Sequence, residues 1–143
     1  MTSQKTISFL SEDISFELEH QNDIQNWIQD AISKEGKTTG EITYIFCSDE
    51  YLHKINKEYL QHNTYTDIIT FNYCVDDIIN SDVFISIDRV KENSEAFKTT
   101  FQNELSRVII HGILHLIGYD DKSGSDKEVM CAKEDFYLSL LST

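Results

Sequence analysis

The order in which strand and helix patterns follow one another limits this chain to a small set of folds. From residue 6 onwards the apolar spacing predicts a strand, a helix, a strand, a helix, two successive strands and then only helices. Two strands in direct succession favour an antiparallel pair, whereas a helix between two strands favours a parallel one. We therefore predict an α/β (α+β) fold, with a small mixed sheet of about four strands covered by about five helices.

Residue types at the ends of these patterns indicate where each element begins and ends. Strands are predicted over 6–18 (as one strand or a bent pair), 41–47, 67–74 and 82–87, with an acidic turn over 75–81. Helices are predicted from a cap at Asn22 to Gly36, from a cap at Ser48, over 89–97, from Thr99 to about Tyr119, and from Ser125 to near Leu140.

Length and composition predict one globular domain, 1–143, that is monomeric and stays outside membranes. No stretch reaches the ~18 apolar residues of a membrane span, and the N-terminus lacks the basic and apolar segments of a signal peptide. The three cysteines are odd in number and widely spaced, which indicates reduced thiols in a cytoplasmic protein. The net charge of −13 opposes binding to nucleic acid unless basic side chains cluster around one groove.

The segment from His111 to Asp121 carries the clearest chemical pattern. His111 and His115 lie four residues apart in a predicted helix, so their imidazole rings project from one face within reach of a single metal ion. Gly118 can end the helix in a left-handed turn, after which the chain can return Asp121 towards both rings. We therefore predict one Zn²⁺ bound by these three side chains on a zincin-like helix, with Asp120 as the alternative third ligand.

The residue after the first histidine separates this pattern from that of the metalloproteases. Those enzymes carry a glutamate there as general base, whereas this chain carries Gly112. Three protein ligands leave one coordination position open for water, which zinc can bring to a pKa near ~7. The pattern indicates a zinc hydrolase without the base of a conventional peptidase, and it leaves the general base unassigned.

Residues 111–121 resemble the signature H-G-x-L-H-L-x-G-Y-D-H of the YbeY family of single-strand-specific metallo-endoribonucleases, which act on ribosomal RNA in bacteria. Residues 55–59, 66–71 and 82–87 are similar to three further elements of that family, in the same order. The resemblance implies a zinc-dependent endoribonuclease that acts in ribosomal RNA processing and ribosome quality control. It also implies single-stranded or ribosomal RNA as substrate, and the ribosome or small-subunit ribosomal proteins as partners.

Two positions depart from the family pattern. Asp121 stands where most members have a third histidine, which should make the metal a somewhat weaker acid towards its water. Leu60 stands where most members have an arginine that is thought to matter for activity, so a charge suited to phosphate is absent from that position.

Two arginines are candidates to replace that charge. Arg107 lies one helical turn before the first histidine, and it is our candidate catalytic residue. It could meet a phosphate beside the metal, or it could pair with Glu104 or Glu128. Arg89 is a candidate to line the substrate groove, with a solvated surface position as the alternative.

The predicted strand after residue 66 contains three polar positions, Thr66, Asp67 and Thr70. They could cap neighbouring elements or orient a metal-binding histidine. A carboxylate on the far ring nitrogen of a ligating histidine fixes its tautomer. We assign Asp67 to this role, on either His111 or His115.

Two other functional classes stay open at this stage. One is a ribosome-assembly binding factor with a structural zinc site, which would suit an acidic surface and a basic ribosomal protein. Against it, structural zinc sites usually have four protein ligands, and the sequence shows three. The other class is a zinc peptidase, which is the weakest because a glycine stands where a peptidase needs its acid.

Overall fold

The computed structural model describes residues 6–59, 66–120 and 122–141. Four strands and five helices occur in these residues, in the predicted order. The strands are β1 (Thr6–Ser11), β2 (Thr38–Cys47), β3 (Ile68–Asn72) and β4 (Ile78–Ser86). The helices are α1 (Gln21–Lys34), α2 (Asp49–Tyr59), α3 (Ile87–Ala96), α4 (Phe101–Ile117) and α5 (Gly124–Leu140). None of these helices, within the described residues, is long and apolar enough to cross a membrane.

The strands form one mixed sheet in the order β1-β2-β4-β3, which confirms the predicted fold class. β2 is parallel to both β1 and β4, and helices connect the parallel strands. β3 is antiparallel to β4, with Ile68 opposite Ile85 and Asn72 opposite Ser81. The direct step from β3 to β4 therefore produces the antiparallel pair that the sequence predicted, and it places β3 at an edge of the sheet.

Side chains alternate between the two faces of the sheet, and helices cover both faces. The larger core packs the strands against α1, α4 and α5, and it contains the buried side chains of Tyr44, Val83 and Ile109. The smaller core lies under α2 and contains Leu52 and Ile69. Helix α4 is apolar along most of its length because it lies within the larger core.

Several element boundaries differ from the sequence prediction. β1 ends at Ser11 rather than continuing to residue 18, because the chain turns at Asp13, whose φ is 43°. Asn22 is not the cap of α1, since the helix begins at Gln21 after the left-handed backbone of His20. β4 begins at Ile78, so the acidic turn is shorter than predicted.

The N-caps of α4 and α5 are of the predicted residue types, but they lie close to the predicted positions rather than at them. The hydroxyl of Thr100, not Thr99, accepts the hydrogen bond from the Asn103 amide at 3.0 Å. In α5 the cap is Ser123, not Ser125, and it accepts from the Asp126 amide at 3.0 Å.

Candidate metal centre

Helix α4 places the two predicted histidine ligands at the boundary between the core and solvent. Leu105, Ile109 and Ile113 are fully buried on the sides of the helix that face the protein. His111 and His115 are four residues apart and therefore share one side of α4, where His111 is half-buried and His115 is exposed. Both imidazole rings are thus carried by a rigid, buried helix, as the sequence predicted.

Gly112 allows α4 to approach the edge strand closely. A Cβ atom at this position would lie 2.9 Å from Cδ1 of Ile68 and 3.4 Å from Cγ2 of Thr70. The absence of a side chain at Gly112 therefore has a packing reason, because the helix crosses β3 directly beside His111. A larger side chain at this residue would have to displace Cδ1 of Ile68.

The end of α4 has the geometry that the glycine predicted. Gly118 has φ 130°, and its amide donates to the carbonyls of Leu114 and His115 at 3.1 Å each. The Tyr119 amide donates to the Leu114 carbonyl at 3.0 Å. These bonds satisfy the last carbonyls of the helix and turn the chain away from its axis.

The third predicted ligand, Asp121, lies outside the described residues, as does Leu60. Within 6–59, 66–120 and 122–141, no three histidine, cysteine or acidic side chains are grouped closely enough to hold a metal ion. Asp120, the alternative ligand, is described and exposed. The assignment of Asp121 stays a prediction.

A buried carboxylate from α5 contacts the first histidine. Oε2 of Glu134 lies 2.7 Å from Nδ1 of His111, and the Glu134 side chain is only 10% exposed. An ionised carboxylate can only accept hydrogen bonds, so Nδ1 carries the proton and Nε2 is the nitrogen able to coordinate a metal. Ligating histidines in zinc sites commonly donate to such a carboxylate, so these residues fit a zinc ion.

The partner of Nδ1 of His111 is thus Glu134, whereas Asp67 was predicted for this role on either His111 or His115, and its place at the metal centre stays a prediction. The sequence contains a signal for Glu134, because Met130, Glu134 and Tyr137 are the buried residues of α5 and lie on one helix face. A charged side chain on the buried face of a helix needs a hydrogen-bonding or oppositely charged partner. The sequence cannot show which partner that is.

Arg107 is the second partner of Glu134. Its guanidinium donates to Oε1 of Glu134 at 2.8 Å and to Oδ1 of Asp135 at 2.5 Å. Burial opposes the charge of Arg107, but the hydrogen bonds to Asp135 and Glu134 outweigh burial and raise the pKa of the guanidinium. The hydrogen-bonded partners of Arg107 are therefore Glu134 and Asp135 rather than the predicted Glu104 or Glu128, although Arg107 does act electrostatically on Glu104. The charge of Arg107 is already compensated by two carboxylates.

Two cavities adjoin His111, and Asp67 lines both. One has a volume of about 230 Å³ and is lined by Thr66, Asp67, Ile68, Thr70, His111, Gly112 and His115. The other has a volume of about 280 Å³ and is lined by Asp67, Glu104, Arg107, Val108, His111 and Glu134. The polar residues predicted on the strand after residue 66 thus gather beside the two histidines.

The second cavity is acidic. Burial raises the pKa of Asp67, and the interactions with His111 and Arg89 oppose this shift only in part. Burial and the neighbouring Asp67 also raise the pKa of Glu104, whose residue is 5% exposed. Three carboxylates therefore surround one arginine, so this cavity by itself does not attract phosphate.

Arg89 lies on α3 and pairs with α2. Its NH2 group donates to Oδ2 of Asp49 at 2.9 Å, and this hydrogen bond raises the pKa of Arg89. Among the described residues, Arg89 is not part of the lining of either cavity beside His111. Its predicted place in a substrate groove remains untested.

Comparisons with known proteins agree on one family. The family model described as endoribonuclease YbeY matches residues 6–142. The chain is 49% identical over 134 residues to endoribonuclease YbeY of Christiangramia forsetii, covering 94% of this chain and 93% of that protein. It is 50% identical over 134 residues to endoribonuclease YbeY of Flavobacterium psychrophilum, covering 94% of this chain and 95% of that protein. The solution structure of TM1509 from Thermotoga maritima is similar, with a TM-score of 0.65 and 25% identity over 95% of this chain and 89% of that chain.

Proposed function

Because the chain belongs to the YbeY family of endoribonucleases, we propose that it is a zinc-dependent hydrolase that cleaves single-stranded RNA during ribosomal RNA maturation and ribosome quality control. The observation that carries the zinc dependence is the contact between Glu134 and Nδ1 of His111 at 2.7 Å. A half-buried histidine held in this tautomer, one turn before a second histidine, suits metal binding better than packing.

One zinc ion would be held by Nε2 of His111, by His115 and by Asp121. A zinc ion with three protein ligands supplies Lewis acidity towards a substrate oxygen and activates water near neutral pH. The residues of this chain fix the ring of His111 through Glu134 and keep Arg107 beside the same carboxylate.

The nucleophile is either a water molecule or the 2′-hydroxyl of the RNA. Gly112 cannot accept a proton, so the chain does not use the base that zinc peptidases carry at this position. Attack by the 2′-hydroxyl gives a cyclic phosphate end, whereas attack by water does not. Analysis of the product ends separates the two routes.

The charge distribution supports docking through a basic protein partner rather than through RNA alone. The net charge is −13, and carboxylates outnumber the arginine in the cavity beside His111. An acidic surface repels RNA but attracts a basic protein. We therefore propose that the chain acts as a single-domain cytoplasmic monomer that reaches its RNA on the ribosome, in contact with small-subunit ribosomal proteins.

The test is cleavage of an end-labelled single-stranded RNA by the purified protein, beside His115→Ala prepared identically. We expect cleavage by the wild type that a chelator abolishes, no cleavage by the variant, and little cleavage of the same sequence in a duplex. Equal cleavage by both proteins would show that the activity comes from a contaminating nuclease and would leave the enzyme assignment unsupported, whereas no cleavage by a zinc-bound wild type would refute it.

A second candidate function is a ribosome-assembly factor whose zinc ion is structural. Two observations favour it: Leu60 replaces the arginine of most family members, and Arg107 is compensated by Glu134 and Asp135. Zinc binding by the wild type without RNA cleavage would support this candidate over the first.

A further inference from the structure

A buried carboxylate outside the metal centre, Glu35, accepts hydrogen bonds from three side chains. Its Oε1 accepts from the Tyr119 hydroxyl at 2.7 Å. Its Oε2 accepts from Nζ of Lys133 at 3.0 Å and from the Tyr137 hydroxyl. The Glu35 side chain is 8% exposed. We call these four residues the Glu35 cluster.

The carboxylate of the Glu35 cluster is anchored by its own backbone and hydrogen-bonded at both oxygens. Glu35 directly follows α1, and its amide donates to the carbonyl of Ala31 at 3.1 Å. Burial alone would raise the pKa of Glu35, but the hydrogen bonds from Tyr137, Tyr119 and Lys133 hold it below its usual value. Removing any one partner of such a buried charge lowers the stability of the folded protein.

Tyr119 connects the Glu35 cluster to the turn after α4. Its amide is bonded to the carbonyl of Leu114, and it follows Gly118 directly. His115 lies in the last turn of α4, four residues before Tyr119. Fixing the ring and amide of Tyr119 therefore fixes the end of the helix that carries the second histidine.

Lys133 connects the same cluster to the partner of His111. Its Nζ bonds to Glu35 and lies 5.5 Å from the centre of the Tyr119 ring. The next residue along α5 is Glu134, which contacts Nδ1 of His111. The cluster thus joins the turn after α4 to the segment of α5 that orients the first histidine.

We propose that Glu35 is a positioning residue of the metal centre, holding together the end of α4 that carries His115 and the part of α5 that carries Glu134. This inference rests on the proposed function, since it concerns the metal site of that function. Glu35 does not touch the metal or the RNA, and it acts through Tyr119 and Lys133.

The test measures zinc affinity and apoprotein stability for matched variants. Glu35→Gln removes the charge that three donors share, and Tyr119→Phe removes one donor with little change in shape. Trp27→Phe is the control, because Nε1 of Trp27 donates to the carbonyl of Tyr137 at 2.7 Å and also ties α1 to α5. That bond does not involve Tyr119. Zinc affinity is measured by competition with a chromophoric chelator, and stability by thermal unfolding of the metal-free protein.

We expect Glu35→Gln and Tyr119→Phe each to weaken zinc binding by more than twofold but by less than the ~10-fold or more that follows loss of a direct partner of a ligand, because Glu35 acts through other residues. The zinc affinity of the double variant should be no lower than that of the weaker-binding single variant, because both changes disrupt the same hydrogen bond between Tyr119 and Glu35. Trp27→Phe should lower the melting temperature and leave zinc affinity within about twofold of the wild type, since it spares the turn.

Three results would overturn the inference. Unchanged zinc affinity in both Glu35→Gln and Tyr119→Phe would give the cluster a purely structural role, with the proposed function intact. If Trp27→Phe weakened zinc binding as much as the other two variants, any loosening of α1 from α5 would lower zinc affinity, and Glu35 would have no specific role. A wild type that binds no zinc would refute the proposed function and this inference together.

Discussion

The replacement Glu134→Gln tests whether α5 orients the metal-binding histidine. In the wild type one carboxylate accepts from two donors, with Oε2 towards His111 and Oε1 towards Arg107. Glutamine has one carbonyl oxygen and one NH₂ group, so it can accept from only one of them. The NH₂ group then faces a second donor, and either the ring of His111 or the guanidinium of Arg107 must move.

The size of the effect follows from burial and from the partners that remain. A hydrogen bond to a charged group contributes about 1.5–3 kcal/mol. Arg107 keeps Asp135 as a partner and is 28% exposed, so solvent screening reduces the loss. We expect a loss of about 1–2 kcal/mol in the free energy of unfolding, which is a fall of about 3–7 °C in the melting temperature. Zinc affinity should fall by about tenfold or more.

The assay is a chelator competition for zinc together with thermal unfolding of the metal-free protein. Asp135→Asn is the matched control, because it removes the other carboxylate of Arg107, which is 61% exposed, and does not touch His111. The control should change stability by less than about 1 kcal/mol and should bind zinc as the wild type does. Wild-type zinc affinity in Glu134→Gln would refute the orienting role of Glu134.

Two further predictions concern packing and charge around the same helix. Glu104→Gln should raise the melting temperature at neutral pH by about 2 °C, because burial and Asp67 disfavour the ionised carboxylate. The pKa of Glu104 is raised in the folded state, so protonation at lower pH removes the unfavourable buried charge from the wild type. The difference in melting temperature between Glu104→Gln and the wild type should therefore shrink as pH falls. A difference that grows in acid would contradict the raised pKa of Glu104. Gly112→Ala should gain less than the ~1 kcal/mol that the helix propensity of alanine supplies, because Cδ1 of Ile68 must move to accept the new Cβ atom. Gly124→Ala is its control, since a Cβ there meets no atom within 4 Å, and equal stability of the two variants in urea unfolding would argue against close packing at Gly112.

The fold could be predicted because its determinants are local. Two successive strand patterns favoured an antiparallel pair, and β3 and β4 form that pair. Ser48 caps α2 as predicted, with the Tyr51 amide donating to its hydroxyl at 3.1 Å. Gly118 ends α4 in the positive-φ conformation that glycine favours.

The errors occurred where the sequence offers two equivalent local solutions. Ser123 precedes Asp126 by three residues, and Ser125 precedes Glu128 by the same spacing, so both have the form of a capping box. Tertiary packing selects the first of them. At α1 the sequence favoured Asn22, but the left-handed backbone of His20 starts the helix earlier.

The interactions of the site with α5 could not be predicted, for a different reason. Arg107 and His111 share a helix face, and this could be read from their spacing, but Glu134 is remote in sequence from both. Pairing between them depends on how α5 crosses α4, and apolar periodicity does not determine that crossing. The pairing of opposite charges between α4 and α5 can be identified only once the relative positions of the two helices are known.

The central claim is that RNA cleavage requires the metal held by the two histidines of α4. Metal-free protein should be titrated with zinc while bound zinc and the initial rate of cleavage of a single-stranded RNA are measured in the same samples. We expect the rate to rise in proportion to bound zinc and to level off at one ion per chain, with His115→Ala inactive at every zinc concentration. Metal-free protein that cleaves at the full rate, or a rate that does not follow bound zinc, would contradict this account.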